Sequence, residues 1–145
     1  MRLARNSGFT MFEILIVLVI LGSLVAFLWG PLTRMFGQSD VYLTKLKLAT
    51  LKNALTEYKL HVGHYPTKKE GGLRALVDKP QGAQDWRGPY VKGEDDLLDK
   101  WGHEIEYNCP PVKYKNKFRY LEVISFGRDG MEGGTGDDAE IPEGS

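Results

Sequence analysis

The sequence has few of the residues that staple a fold or drive catalysis. Cys109 is the only cysteine, so no internal disulfide can form. A lone thiol of this kind is expected as a small, half-buried apolar residue. Charge of one sign is also missing: 19 basic residues balance 19 acidic ones. No basic run stands out, so nothing points to nucleic acid. Phosphate loops and dinucleotide fingerprints are absent. His61, His64 and His103 come without a close cysteine pair and make a poor zinc set. Ser125 has no nucleophile elbow around it, so a triad with a histidine and an aspartate is not indicated. At 145 residues the chain has room for one modest domain and an anchor.

Hydrophobic length is what the chain does have. Residues 1–8 are short and polar, with Arg2 and Arg5. From Ile14 to Leu32 no residue is charged, and only Gly22, Ser23 and Gly30 interrupt the run. As a helix it spans about 28 Å, close to the roughly 30 Å of a bilayer's hydrocarbon core. A buried soluble helix would show a polar stripe, and none is present. A secretory signal would be shorter and would end at a small-x-small site. The segment therefore reads as a retained anchor, with the basic end cytoplasmic and the bulk outside. Without residues 1–8 the chain would carry 17 basic and 19 acidic groups. Glu13 stands at the head of the apolar run. A carboxylate there costs several kcal/mol by order of magnitude and usually marks function. The plain alternative is an interfacial glutamate reaching for water.

Beyond Pro31 the pattern turns amphipathic. Leu48, Leu51, Leu55, Tyr58 and Val62 fall on one helical face. One long helix over roughly residues 9–62 is expected, loosened near Gly30-Pro31 and Gly37, with Gly63 as its stop. A coiled coil would need more seam positions. Thr67 and Glu70 form a capping-box pattern ahead of Leu73, Leu76 and Val77, which predicts a short helix over 68–78. Residues 79–90 read as loop. Strands are expected at Glu104–Asn108 and Phe118–Phe126, with Tyr90-Val91 as a third, edge strand. The fold class is α+β: a long N-terminal helix, membrane-spanning in its first half, on a small antiparallel sheet with a short second helix. The predicted core is Leu55, Tyr58, Leu73, Leu76, Ile105, Leu121 and Val123, with Trp101 and Tyr107 also inside.

The acidic glycine loop at 127–140 carries Asp129, Glu132, Asp137, Asp138 and Glu140. Clustered carboxylates repel unless a cation joins them, and hard oxygen ligands on glycine-permitted turns suit Ca²⁺. A solvated acidic loop is the plainer reading of the same residues.

Gly8-Phe9-Thr10-Met11-Phe12-Glu13 and the apolar run resemble the type IV pilin signal. In that family a prepilin peptidase cuts after the glycine and methylates the new N-terminal phenylalanine. The glutamate then pairs with the terminal amine of a neighbouring subunit. The resemblance thus implies cleavage at Gly8–Phe9, N-methylation of Phe9 and an assembly pair of Phe9 and Glu13. Burial of an unpaired charge is costly, so such a pair would favour correct axial register. The divisions would be a leader at 1–8, an anchor and filament-core helix at 9–32 and a periplasmic domain at 33–145.

Further segments narrow the likeness. They are Tyr58-Lys59-Leu60, Gly63-His64-Tyr65-Pro66-Thr67 and Glu70-Gly71-Gly72-Leu73-Arg74-Ala75-Leu76-Val77. Gly88-Pro89-Tyr90-Val91-Lys92, Asp99-Lys100-Trp101-Gly102 and Ser125-Phe126-Gly127-Arg128-Asp129-Gly130 join them. Together they resemble the major pseudopilin family of type II secretion systems, from Gly8 to about Ile141. That resemblance implies a non-enzymatic subunit of a homopolymeric periplasmic filament, anchored in the inner membrane, which drives export of folded proteins. Its implied partners are further copies of itself, minor pseudopilins, the peptidase and an inner-membrane assembly platform. It also implies calcium held by Asp129, by Asp137, Asp138 and Glu140, and by the main chain at Phe126. Glu140 departs from the aspartate usual there, and Arg128 adds a positive charge. The family's proline tends to fall one residue before Pro31. The alternatives are a type IV pilin, which commonly needs a disulfide, a minor pseudopilin, or a membrane-tethered binding or sensor domain.

Overall fold

A computed structural model describes residues 10–145, apart from the side chains of residue 30 and residues 32–39. The chain divides into two units between Phe36 and Gly37. Helix α1, Met11–Val62, contributes to both. It starts where Thr10 caps it: the Glu13 N–H lies 3.2 Å from Thr10 Oγ1 and 3.1 Å from the Thr10 carbonyl. The helix runs unbroken through Pro31 and Gly37, although proline removes one of its donors. It ends at Gly63, whose φ of 93° lets its N–H turn back to Lys59 O at 2.8 Å.

In the second unit, the expected stripe on α1 is the buried one. Leu48, Leu51, Leu55 and Tyr58 are shielded from water, and Val62 packs at the edge of the same cluster. Opposite them lie Leu73, Leu76, Ile105, Leu121 and Val123, the core read from the pattern. Trp101 and Tyr107 pack against it, half-buried. Burying such side chains is worth about 1.5–3 kcal/mol each, so this stripe, rather than helix propensity, holds the domain end of α1.

The sheet has three antiparallel strands: β1 (Glu106–Asn108), β2 (Glu122–Ser125) and β3 (Ile141–Gly144), with β2 central. The two expected strands are present but shorter at their ends. Glu104 makes only an isolated bridge to Leu98. Every residue of β2 is buried. Leu121 and Val123 join the α1 core, while Glu122 turns toward the connection at 112–114.

The structure corrects three expectations. Residues 68–78 form two 3-10 turns, Lys68–Glu70 and Gly72–Leu76, instead of one helix. Gly71 and Gly72 between them take φ of 93° and 59°, which a continuing right-handed helix does not allow. The Glu70 carboxylate still accepts from the Thr67 N–H and hydroxyl, both at 2.8 Å. Tyr90-Val91 is not the third strand. The Tyr90 N–H goes to Leu76 O at 2.7 Å, and its ring packs among Tyr58, His61 and Trp86. The third strand is β3, whose Pro142 is tolerated because the strand lies at the sheet's edge. Cys109 is exposed rather than half-buried, since it follows β1 directly and leads into Pro110-Pro111.

Candidate functional site

Two regions carry the residues expected to function. The first is the N-terminal part of α1. Met11–Trp29 has a mean hydropathy of 2.8 over 19 residues, none of them buried, and is long and apolar enough to cross a membrane. Phe12, Ile16, Leu18, Val19, Phe27 and Trp29 all lie open. Within this surface Glu13 is the single ionisable side chain, and it too is exposed. Its place in the first turn suits the positive end of the helix dipole. Gly8 and Phe9, the expected cleavage and methylation positions, lie outside the described residues.

The second region is the loop between β2 and β3. Its path depends on glycine at two close approaches. Gly127 has a φ of 77°, and a Cβ there would meet the Asp138 backbone at 2.7–2.8 Å. Gly134, at 86°, would put a Cβ against the Asp138 carbonyl oxygen. The loop thus folds onto its own main chain, and Arg128 N–H bonds Asp137 O at 2.9 Å.

Three of the four acids expected to share a cation have other partners. Glu140 Oε1 accepts from Lys113 Nζ at 2.5 Å and from the Gly133 N–H at 2.8 Å. Its Oε2 accepts from the Tyr114 hydroxyl at 2.5 Å. Burial pushes the Glu140 pKa up, but Lys113, Tyr114 and the Gly133 amide outweigh it and hold the carboxyl below its usual range. Burial and the bond to Glu140 push the Tyr114 phenol up to about 12. Asp137 Oδ2 pairs with Arg128 at 2.5 Å. Asp129 Oδ1 accepts from the Met131 N–H at 3.0 Å, within its own turn. Among the described residues, no three carboxylate, histidine or cysteine side chains gather as a metal set. In this arrangement the expected side chains are therefore not gathered around one shared cation position.

Sequence reasoning missed the groups that organise this loop. Glu122, fully shielded from water on β2, accepts from the backbone N–H groups of Val112, Lys113 and Tyr114 at 2.8, 2.9 and 2.7 Å. Asn108 Nδ2 adds a fourth donor at 3.1 Å. Burial alone would raise the Glu122 pKa, but these donors lower it. The clamp fixes the 112–114 turn and delivers Lys113 and Tyr114 to the loop. The one available signal was an acidic residue inside an otherwise β-forming run.

Ser125, His103 and Asp99 do come together, but not as a catalytic triad. The Ser125 hydroxyl donates to Asp99 Oδ2 at 2.7 Å, and the Trp101 and His103 N–H groups donate to Asp99 Oδ1, both at 2.9 Å. His103 Nδ1 lies 3.1 Å from Gly127 O. The serine faces the aspartate instead of a base, and both side chains are buried. This knot ties the end of β2 to the 99–103 turn. His61 is engaged by the Tyr90 hydroxyl at 3.0 Å and His64 by Glu70 at 3.0 Å.

A helix with an exposed apolar half and a buried stripe on a small sheet, closed by a glycine-rich loop, has relatives. The profile described as "Type II secretion system (T2SS), protein G" matches residues 32–144. The chain belongs to the protein G family of type II secretion. A second profile, the prokaryotic N-terminal methylation motif, matches residues 3–29. Among similar proteins are the type II secretion system core protein G of Vibrio cholerae (35% identical, over 97% of this chain and 92% of that one) and of Aeromonas hydrophila (36%, over 95% and 93%). That of Xanthomonas campestris pv. campestris is 33% identical over 95% of this chain and 90% of its own length. The crystal structure of the major pseudopilin of the enterohaemorrhagic Escherichia coli type 2 secretion system superposes with a TM-score of 0.55. It is 28% identical, and the match covers 72% of this chain and 86% of that one. The protein G fold and a structural role in the pseudopilus of type II secretion follow for this chain.

Proposed function

We propose that this protein G is cut between Gly8 and Phe9, methylated on Phe9 and held in the inner membrane by the helix at 9–32. Its domain at 33–145 stands in the periplasm and polymerises into a filament that drives folded proteins outward. It works by assembly and not by catalysis. Its partners are other copies of itself, minor pseudopilins, the prepilin peptidase and the inner-membrane assembly platform. The amine freed on Phe9 neutralises Glu13 of a neighbouring copy.

The observation that supports this reading most directly is one carboxylate at the head of an exposed apolar helix. In hydrocarbon that carboxylate costs several kcal/mol unless paired, so the lipid-dispersed subunit is the less favourable state and the paired assembly the more favourable. Intact-mass analysis of the chain coexpressed with a prepilin peptidase tests it. Loss of residues 1–8 and gain of one methyl group are expected. A chain that keeps its leader overturns the reading.

A further inference from the structure

Carboxylates on a tight loop need positive charge close by, and among the described residues the loop at 127–140 meets two cationic side chains. Arg128, within the loop, pairs with Asp137. Lys113 reaches in from the connection between β1 and β2 and bridges Glu132 and Glu140, with its Nζ 5.4 Å from the centre of the Phe126 ring.

The contacts differ in weight. Glu132 is three-quarters exposed, so its pair with Lys113 is a surface pair worth little. The Glu140 side chain is only 10% exposed, and both its oxygens are engaged. Lys113 is not a free surface lysine here. Its own N–H is one of the donors held by buried Glu122, and Tyr114 beside it bonds the same Glu140. An ion pair whose two ends are fixed by other bonds gives up less side-chain entropy than a free one.

We infer that Lys113, set in place by Glu122, is the resident cation of the β2–β3 loop and closes it onto Glu140 without a divalent ion. The loop's order then travels with the polypeptide. Removing the lysine charge leaves Glu140, a mostly covered carboxylate, without its counter-charge.

Limited proteolysis of the full chain in detergent micelles reads this out, with cleavage inside residues 127–140 scored by fragment mass. The wild-type chain is expected to be cut there at the same rate in millimolar calcium and in chelator. Lys113→Met is expected to be cut about tenfold faster or more, the effect of losing one charge-assisted bond, while cleavage elsewhere stays unchanged. Should Lys113→Met fail to fold, Glu140→Gln replaces it, and faster loop cleavage is again expected. Slower cleavage of the wild-type loop in calcium overturns the inference, and so does a loop indifferent to both substitutions.

Discussion

Glu122 is a carboxylate shut away from water and surrounded by N–H groups, and its charge is the reason the turn beside it has one shape. Its pKa is lower in the folded chain than the usual value of about 4.3 in an unfolded one. The unfolded state therefore binds the proton more readily. The resulting stability is complete above the unfolded value and is lost as pH falls through the lowered folded value. Thermal melts of the chain between neutral pH and about pH 3 should show this loss. Glu122→Gln should remove part of the acid sensitivity and cost about 2 kcal/mol at neutral pH, because an amide offers one acceptor oxygen to several donors. A neutral-pH melting temperature unchanged by the substitution would count against the clamp. Neither Glu122 nor its reach to Val112, Lys113 and Tyr114 was legible in the sequence. Strand periodicity says which face a residue takes, but not which distant amides wait there. Lys113 was hidden for the same reason: its partner Glu140 is 27 positions away.

At the scale of elements, α1 was the most legible part, since a spacing of three and four residues states which face must be covered. The 3-10 turns were harder to foresee. Thr67 and Glu70 signal a start equally well for an α-helix or a tighter turn, and the decision falls to Gly71 and Gly72. The edge strand was misplaced because Tyr90 and Val91 have the side chains of a strand, whereas Ile141–Gly144, with proline and glycine, do not. Long-range pairing with Glu122–Ser125 makes that segment a strand regardless. The stripe on α1 also holds an inconsistency that can be measured. Tyr58 is fully buried, and among the described residues its hydroxyl has no hydrogen-bond partner. Burial accordingly raises its pKa. Tyr58→Phe keeps the ring contacts to Tyr90 and removes the stranded hydroxyl. The variant is expected to be neutral to about 1 kcal/mol more stable in denaturant unfolding. A loss of more than about 1 kcal/mol would mean that the hydroxyl is bonded after all.

For the whole molecule, membership of the protein G family rests on nearly the full chain, while assembly rests on its N-terminal end. Glu13→Ala separates anchoring from assembly. The variant loses a charge that opposes burial in lipid, so it should insert at least as well as the native chain. Filament yield, counted by electron microscopy of sheared material, should fall at least about tenfold, as expected when one buried charge pair is lost. Normal yields from Glu13→Ala would remove the pairing role while leaving the anchor untouched. The loop at 127–140 was legible as acidic and glycine-rich, a place where carboxylates need positive charge nearby. The approach of Lys113 to Glu140 was not, because a lysine in a polar connection between strands carries no mark of what it will meet.

The apolar half of α1 has a further consequence. From Ile14 to Trp29 every turn offers water much the same surface, with no polar face to tell one side from another. Turning such a cylinder about its axis in a uniform apolar medium changes its energy very little. Glu13 can therefore mark height along an axis, but the segment below it has no charge with which to mark angle. Among packed copies, azimuth would have to come from side-chain shape along the run and from the patterned surface of residues 37–145.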